Sequence, residues 1–87
     1  MNNAVMTLPK KLREFIVQPN FNTPFLVVDL ERVLKNYCVL TSNLPAAKCF
    51  YSVKSNPSPQ VLKTLLAKGS HFEAASLGEI ELCLSVG

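Results

Sequence analysis

Residues 50–57 read Phe50-Tyr51-Ser52-Val53-Lys54-Ser55-Asn56-Pro57, a short apolar run that ends on a lysine and then breaks at Asn-Pro. Cys49, Phe50, Tyr51 and Val53 have the aromatic, β-branched or apolar character of a strand. Pro57 disfavours helical geometry at Asn56, so the chain turns there. Lys54 therefore falls at the C-terminal end of a strand, the edge at which α/β proteins gather ligands and catalytic groups. Alternation puts Cys49, Tyr51 and Val53 on one face and Phe50, Ser52 and Lys54 on the other. Ser52 is small and leaves room beside the lysine for a flat, bulky group. A lysine held partly away from water favours its neutral amine, which can attack a carbonyl and form a Schiff base. The other reading is a solvated lysine at a strand end with no chemical task, and these eight residues alone favour it.

Downstream, Ser58 and Pro59 read as the N-cap and first residue of a helix. Val61, Leu62, Leu65 and Leu66 form its apolar stripe, and Gly69 stops it by taking the left-handed conformation. Phe72 to Ala75 reads as the next strand, with His71, Glu73 and Ala75 on one face and Phe72 and Ala74 on the other. Ser76-Leu77-Gly78-Glu79 has the Ser-x-x-Glu form of a capping box, in which Glu79 reaches back to the Ser76 N–H. Leu77, Ile80, Cys83 and Leu84 give the last helix a buried side.

From Lys48 onward the order is strand, helix, strand, helix, which predicts right-handed β-α-β units and a parallel sheet. Two strands do not complete such a sheet. An eight-stranded α/β barrel takes about 250 residues. The expectation is the first part of a longer α/β protein, a fragment that does not fold alone.

Upstream, Pro9 to Val17 predicts a short helix with Leu12, Phe15 and Ile16 on one face, and residues 18–23 a loop. Phe25 to Val28 reads as a brief strand. Asp29 then suits the N-cap of a helix through Ser42, with Leu30, Val33, Leu34, Tyr37 and Leu40 as its buried face. The chain divides into an N-terminal segment, 1–29, and the start of a larger domain, 30–87.

Of the 87 residues, 48% are hydrophobic and 17% charged, a globular balance and not a disordered one. The net charge of +3 is modest, and no basic and aromatic residues interleave as nucleic-acid binders require. Lys10, Lys11 and Arg13 fit a solvated helix face. Cys38, Cys49 and Cys83 are widely spaced and the only histidine is His71, which argues against zinc and against a disulfide framework. The cysteines are expected in the core, His71 in a structural role, and the protein in a reducing cytosol. No signal-peptide pattern or membrane-spanning run is present.

Tyr51 to Pro57, followed by Val61-Leu62, Leu65 and Gly69, resembles the cofactor-lysine signature of the alanine-racemase-like (fold type III) pyridoxal-phosphate decarboxylases. These are the ornithine, lysine, arginine and diaminopimelate decarboxylases. Phe72-Glu73-Ala74-Ala75-Ser76-Leu77-Gly78-Glu79-Ile80 resembles the family's next block, usually Phe-Asp-x-Ala-Ser-x-x-Glu. Thr23-Pro24-Phe25-Leu26-Val27-Val28-Asp29 resembles the strand that opens these proteins. Two departures stand out. Ser52 replaces alanine or proline and stays small, and Glu73 replaces aspartate with an arm one methylene longer.

The resemblance implies the first β-α units of a pyridoxal-phosphate-binding (β/α)8 barrel, preceded by a strand that joins a separate β domain in the full-length family. It implies that Lys54 is catalytic and holds pyridoxal phosphate as an internal aldimine, with Glu73 and Glu79 near the cofactor. The implied reaction is decarboxylation of a basic amino acid, foremost ornithine to putrescine in polyamine biosynthesis. Lysine or diaminopimelate decarboxylation, or a non-catalytic pyridoxal-phosphate-binding or regulatory homologue, are the alternatives. The implied state is a cytoplasmic homodimer acting on a small amino acid, without nucleic-acid or membrane partners, and the 87-residue piece is inactive alone. The phosphate grip and the substrate-facing residues are expected beyond Gly87, since Gly69, Gly78 and Gly87 form no glycine-rich loop.

Overall fold

The computed structural model describes residues 9–18, 22 and 24–87. Helix α1 spans Lys10–Ile16, with Pro9 at its N-cap. Most of the expected loop over 18–23 lies outside the described residues. Phe25 to Val28 corrects an expectation: it carries no strand pairing. A strand exists only where a neighbour exchanges ladder hydrogen bonds with it, and among the described residues only 50–52 and 71–73 do so.

Helix α2 spans Leu30–Asn43. Asp29 caps it as expected, its Oδ1 accepting from the N–H of Glu31 at 3.1 Å and of Arg32 at 3.4 Å. Its apolar face is only partly covered, with Val33, Leu34 and Tyr37 half-buried and Leu30 and Leu40 exposed. Lys11 ties α1 to the start of α2 through Asp29 Oδ1 at 3.3 Å and Glu31 Oε2 at 2.7 Å.

Strand β1, Phe50–Ser52, runs parallel to β2, His71–Glu73. The register pairs Phe50 with His71, Tyr51 with Phe72 and Ser52 with Glu73. Between the strands lie a 3₁₀ turn, Val53–Ser55, and helix α3, Pro59–Leu66. Helix α4, Leu77–Val86, follows β2. The strand-helix-strand-helix order is therefore present, as a small α/β unit with a short parallel sheet.

Helix α3 is the centre of packing, with α2 and α4 both against it. Among the described residues the buried apolar side chains are Val53, Val61, Leu62 and Leu65, and Val53 and Leu62 are 0% exposed. Full burial of such a side chain contributes about 1.5–3 kcal/mol, so this small cluster fixes the β1–α3 unit. Gly69 ends the helix as expected, with φ +85°. Its N–H donates to the Leu66 carbonyl at 2.9 Å and the Ser70 N–H to the Leu65 carbonyl at 3.1 Å, the paired bonds of a Schellman motif.

Two further expectations are corrected. In α4, Leu77 and Leu84 are 71% and 73% exposed and Ile80 is also exposed, while the helix's main packing among the described elements is on α3. The cysteines are not core residues: Cys38 is exposed, Cys49 and Cys83 are half-buried, and all three are free thiols. No helix among the described residues is long and apolar enough to cross a membrane.

Candidate functional site

The two parallel strands end at a common carboxyl edge. Glu73 closes β2 opposite Ser52, which closes β1. One face of the pair carries Phe50, Ser52, His71 and Glu73, and there the Phe50 and His71 rings stack at 4.9 Å between centroids, 26° from parallel. The other face carries Tyr51 and Phe72, which meet edge to face at 6.3 Å and are half-buried. The first face is the more exposed, since Phe50, His71 and Glu73 are all open to solvent.

Strand alternation does not carry through to Lys54. The chain leaves the strand at Ser52 and winds Val53–Ser55 into the 3₁₀ turn, because Val53 turns inward onto the α3 core. Lys54 sits in this turn at the carboxyl edge, as expected, but its side chain is exposed and not partly dry. The described elements put no layer over the turn. Among the described residues Lys54 Nζ makes no hydrogen bond or ion pair, and none joins it to Glu73.

The turn is fastened on both sides. Tyr51 Oη donates to the Asn56 carbonyl at 3.0 Å, and Asn56 Oδ1 accepts from the Ser58 N–H at 3.0 Å. The second contact is an Asx turn, which aims the chain into α3. Ser58 holds the N-cap position, yet its hydroxyl donates to Gln60 Oε1 at 2.9 Å and caps no helix N–H. The sequence placed Tyr51 on the strand and Asn56 at the turn but did not reveal the bond between them. Their signals were a tyrosine on a strand face that needs a partner for its O–H, and an asparagine before a proline turn.

Glu79 lies in the first turn of α4, just past β2. The Glu79 N–H donates to Ser76 Oγ at 3.2 Å, as a capping box requires. The reciprocal arm is displaced by one residue: Glu79 Oε1 accepts from the Ala75 N–H at 2.8 Å and not from Ser76. Ser76 is fully extended, φ −146° and ψ 163°, and the carboxylate engages the Ala75 N–H one residue earlier. Lys54 thus follows the end of β1 and Glu73 closes β2 on the carboxyl edge of the pair, and Glu79 comes after them in the first turn of α4.

A pyridoxal phosphate needs a primary amine for its aldehyde, a flat space and an anion cradle. Lys54 supplies an unengaged amine and Ser52 a small neighbour. No cradle is formed by the described glycines, since Gly69 closes α3 and Gly78 lies within α4. Among the described residues no group of three histidine, cysteine or acidic side chains gathers for a metal ion.

Residues 30–87 match the family described as pyridoxal-dependent decarboxylase, pyridoxal binding domain. Over 65 residues the chain is 46% identical to the lysine/ornithine decarboxylase of Selenomonas ruminantium, covering 75% of this chain and 16% of that protein. It is 45% identical over 64 residues to the chloroplastic ornithine decarboxylase of Nicotiana glutinosa, covering 74% and 15% respectively. It is 39% identical over 69 residues to the ornithine decarboxylase of Candida albicans, covering 79% and 15%. The chain spans roughly a sixth of the length of these curated relatives. No solved structure matches it. The matched stretch holds both strands, the lysine turn and both helices that follow the strands, so the chain belongs to the pyridoxal-dependent decarboxylases, a family whose cofactor is pyridoxal phosphate.

Proposed function

We propose that the whole protein decarboxylates a basic amino acid with pyridoxal phosphate, converting ornithine to putrescine in polyamine biosynthesis. One observation carries this reading: an unengaged primary amine, Lys54, at the carboxyl edge of a parallel strand pair inside the stretch matched to a pyridoxal-binding domain. The retained amine speaks against a non-catalytic homologue, because only an amine forms a reversible imine with the cofactor's aldehyde and arginine stays protonated. The names of the similar Nicotiana and Candida proteins favour ornithine. The Selenomonas name, which includes lysine, supports lysine as the second reading.

In this reading Lys54 holds and orients the cofactor. Bound there, pyridoxal phosphate supplies the sink for the electrons left as carbon dioxide departs. Glu73 places a negative charge on the same edge, and Glu79 fixes the β2–α4 junction beside it. The pairs β1–α3 and β2–α4 are the first units of a (β/α)8 barrel, starting at residue 30. Residues 1–29 precede it, as the segment that leads from a separate β domain. The assembled enzyme is a cytoplasmic homodimer, and the 87-residue piece is inactive alone.

The test is carbon dioxide release by the full-length protein from carboxyl-labelled ornithine, lysine and diaminopimelate, with and without added pyridoxal phosphate. Cofactor-dependent release, fastest from ornithine, is expected. No release from any of the three contradicts the proposal.

A further inference from the structure

We propose that Tyr51 is a positioning residue for Lys54: its hydroxyl, bonded to the Asn56 carbonyl, closes a clasp around the lysine turn and sets where the amine stands. This rests on the reading of Lys54 as the cofactor lysine. The hydrogen bond joins residues five apart and encloses Ser52 and the turn Val53–Ser55. Each end of the clasp is anchored separately. Tyr51 is paired in β1, and its ring meets Phe72 of β2 edge to face. Asn56 is extended, φ −160° and ψ 106°, constrained by Pro57 and held by its side-chain bond from the Ser58 N–H. Val53, with no exposed surface, pins the middle of the turn to the core.

Lys54 lacks any side-chain bond among the described residues, so nothing holds its amine in place except the backbone of this turn. A flexible four-carbon arm on a loose turn samples many positions, and a reaction that needs a near-attack geometry slows accordingly. The clasp removes the backbone part of that freedom. Burial pushes the Tyr51 phenol above its ordinary value.

Tyr51→Phe keeps the ring and its contact with Phe72 and removes only the donor. The experiment uses the full-length protein stripped of cofactor. Pyridoxal phosphate is added, and capture is followed by absorbance and by borohydride trapping. Condensation of Lys54 Nζ with the aldehyde releases one water, and hydride addition to the resulting C=N bond leaves a stable secondary amine that peptide mapping locates. Hydrogen exchange at the amides of residues 53–56 is measured in parallel without cofactor.

Capture by Tyr51→Phe is expected to slow on the order of tenfold, the equivalent of one hydrogen bond, with faster exchange confined to the turn and a nearly unchanged melting temperature. Asn56→Ala, which loosens the other anchor, should move both readouts the same way. Wild-type labelling at Lys54 with unchanged capture and exchange in Tyr51→Phe overturns the clasp and leaves the Lys54 reading standing. Wild-type labelling at another lysine overturns both.

Discussion

Ser52 stands opposite Glu73 at the end of the parallel ladder, on the face where Phe50 stacks on His71. A short hydroxyl beside a long carboxylate leaves the Glu73 arm uncrowded, and the Lys54 turn begins one residue past Ser52. Glu73→Gln in the full-length protein keeps size and hydrogen-bonding reach and removes the charge. A carboxylate beside a cation raises the cation's pKa, so its removal should move the pH titration of the bound cofactor's visible band downward. An exposed substitution of this kind changes stability by no more than about 0.5 kcal/mol. A spectroscopic titration beside a thermal melt checks both. An unmoved titration would place Glu73 away from the cofactor.

At the start of α4, the bonds of Ser76 Oγ to the Glu79 N–H and of Glu79 Oε1 to the Ala75 N–H satisfy two donors. Glu79→Ala should cost on the order of 1 kcal/mol of stability, as loss of a cap does. Glu79→Gln retains an acceptor and should stay within a few tenths of a kcal/mol of the parent. Chemical denaturation distinguishes them. An equal loss in both would show that the charge, and not the cap, is what matters.

The tie between α1 and α2 is pH-dependent. Burial pushes the Asp29 carboxyl up, but the Lys11 ammonium and the N–H groups of Arg32 and Glu31 outweigh it and hold it below the usual aspartate value. The hydrogen bond that Lys11 donates to Glu31, joined by Asp29, holds Lys11 above the usual lysine value. A lowered carboxyl contributes stability that is full above its unfolded value and is lost as pH falls through the lowered one. A raised amine contributes stability that is full below its unfolded value and is lost as pH rises through the raised one. The contact should therefore survive the range in which an ordinary aspartate protonates and give way only below it. Carboxyl-carbon NMR of Asp29 measures this, and Lys11→Ala should bring the midpoint upward. An ordinary Asp29 midpoint with Lys11 present would contradict the contact.

What the sequence revealed was local chemistry. Asp29 and Ser76 announced their caps through side chains that reach only a few residues, and Gly69 announced a positive φ. Asn56-Pro57 announced the turn after Lys54. What stayed hidden depends on distant neighbours. Phe25 to Val28 has strand composition, but the sheet among the described residues holds only β1 and β2, and Leu77, Ile80 and Leu84 of α4 stay exposed there. The alternation reaching Lys54 assumed a strand that continued, whereas burial of Val53 ended it at Ser52. The bond from Tyr51 to the Asn56 carbonyl appears only once the turn is folded.

The central claim is that Lys54 carries the cofactor. The most direct measurement is borohydride reduction of the full-length protein with pyridoxal phosphate, followed by peptide mapping of the parent, Lys54→Ala and Lys54→Arg. The predicted result is a single label on Lys54 in the parent, with the label, the visible band and nearly all turnover lost in both variants, because arginine keeps the charge but supplies no reactive amine. A label on Lys48 or Lys63, or one undiminished in Lys54→Ala, would contradict it.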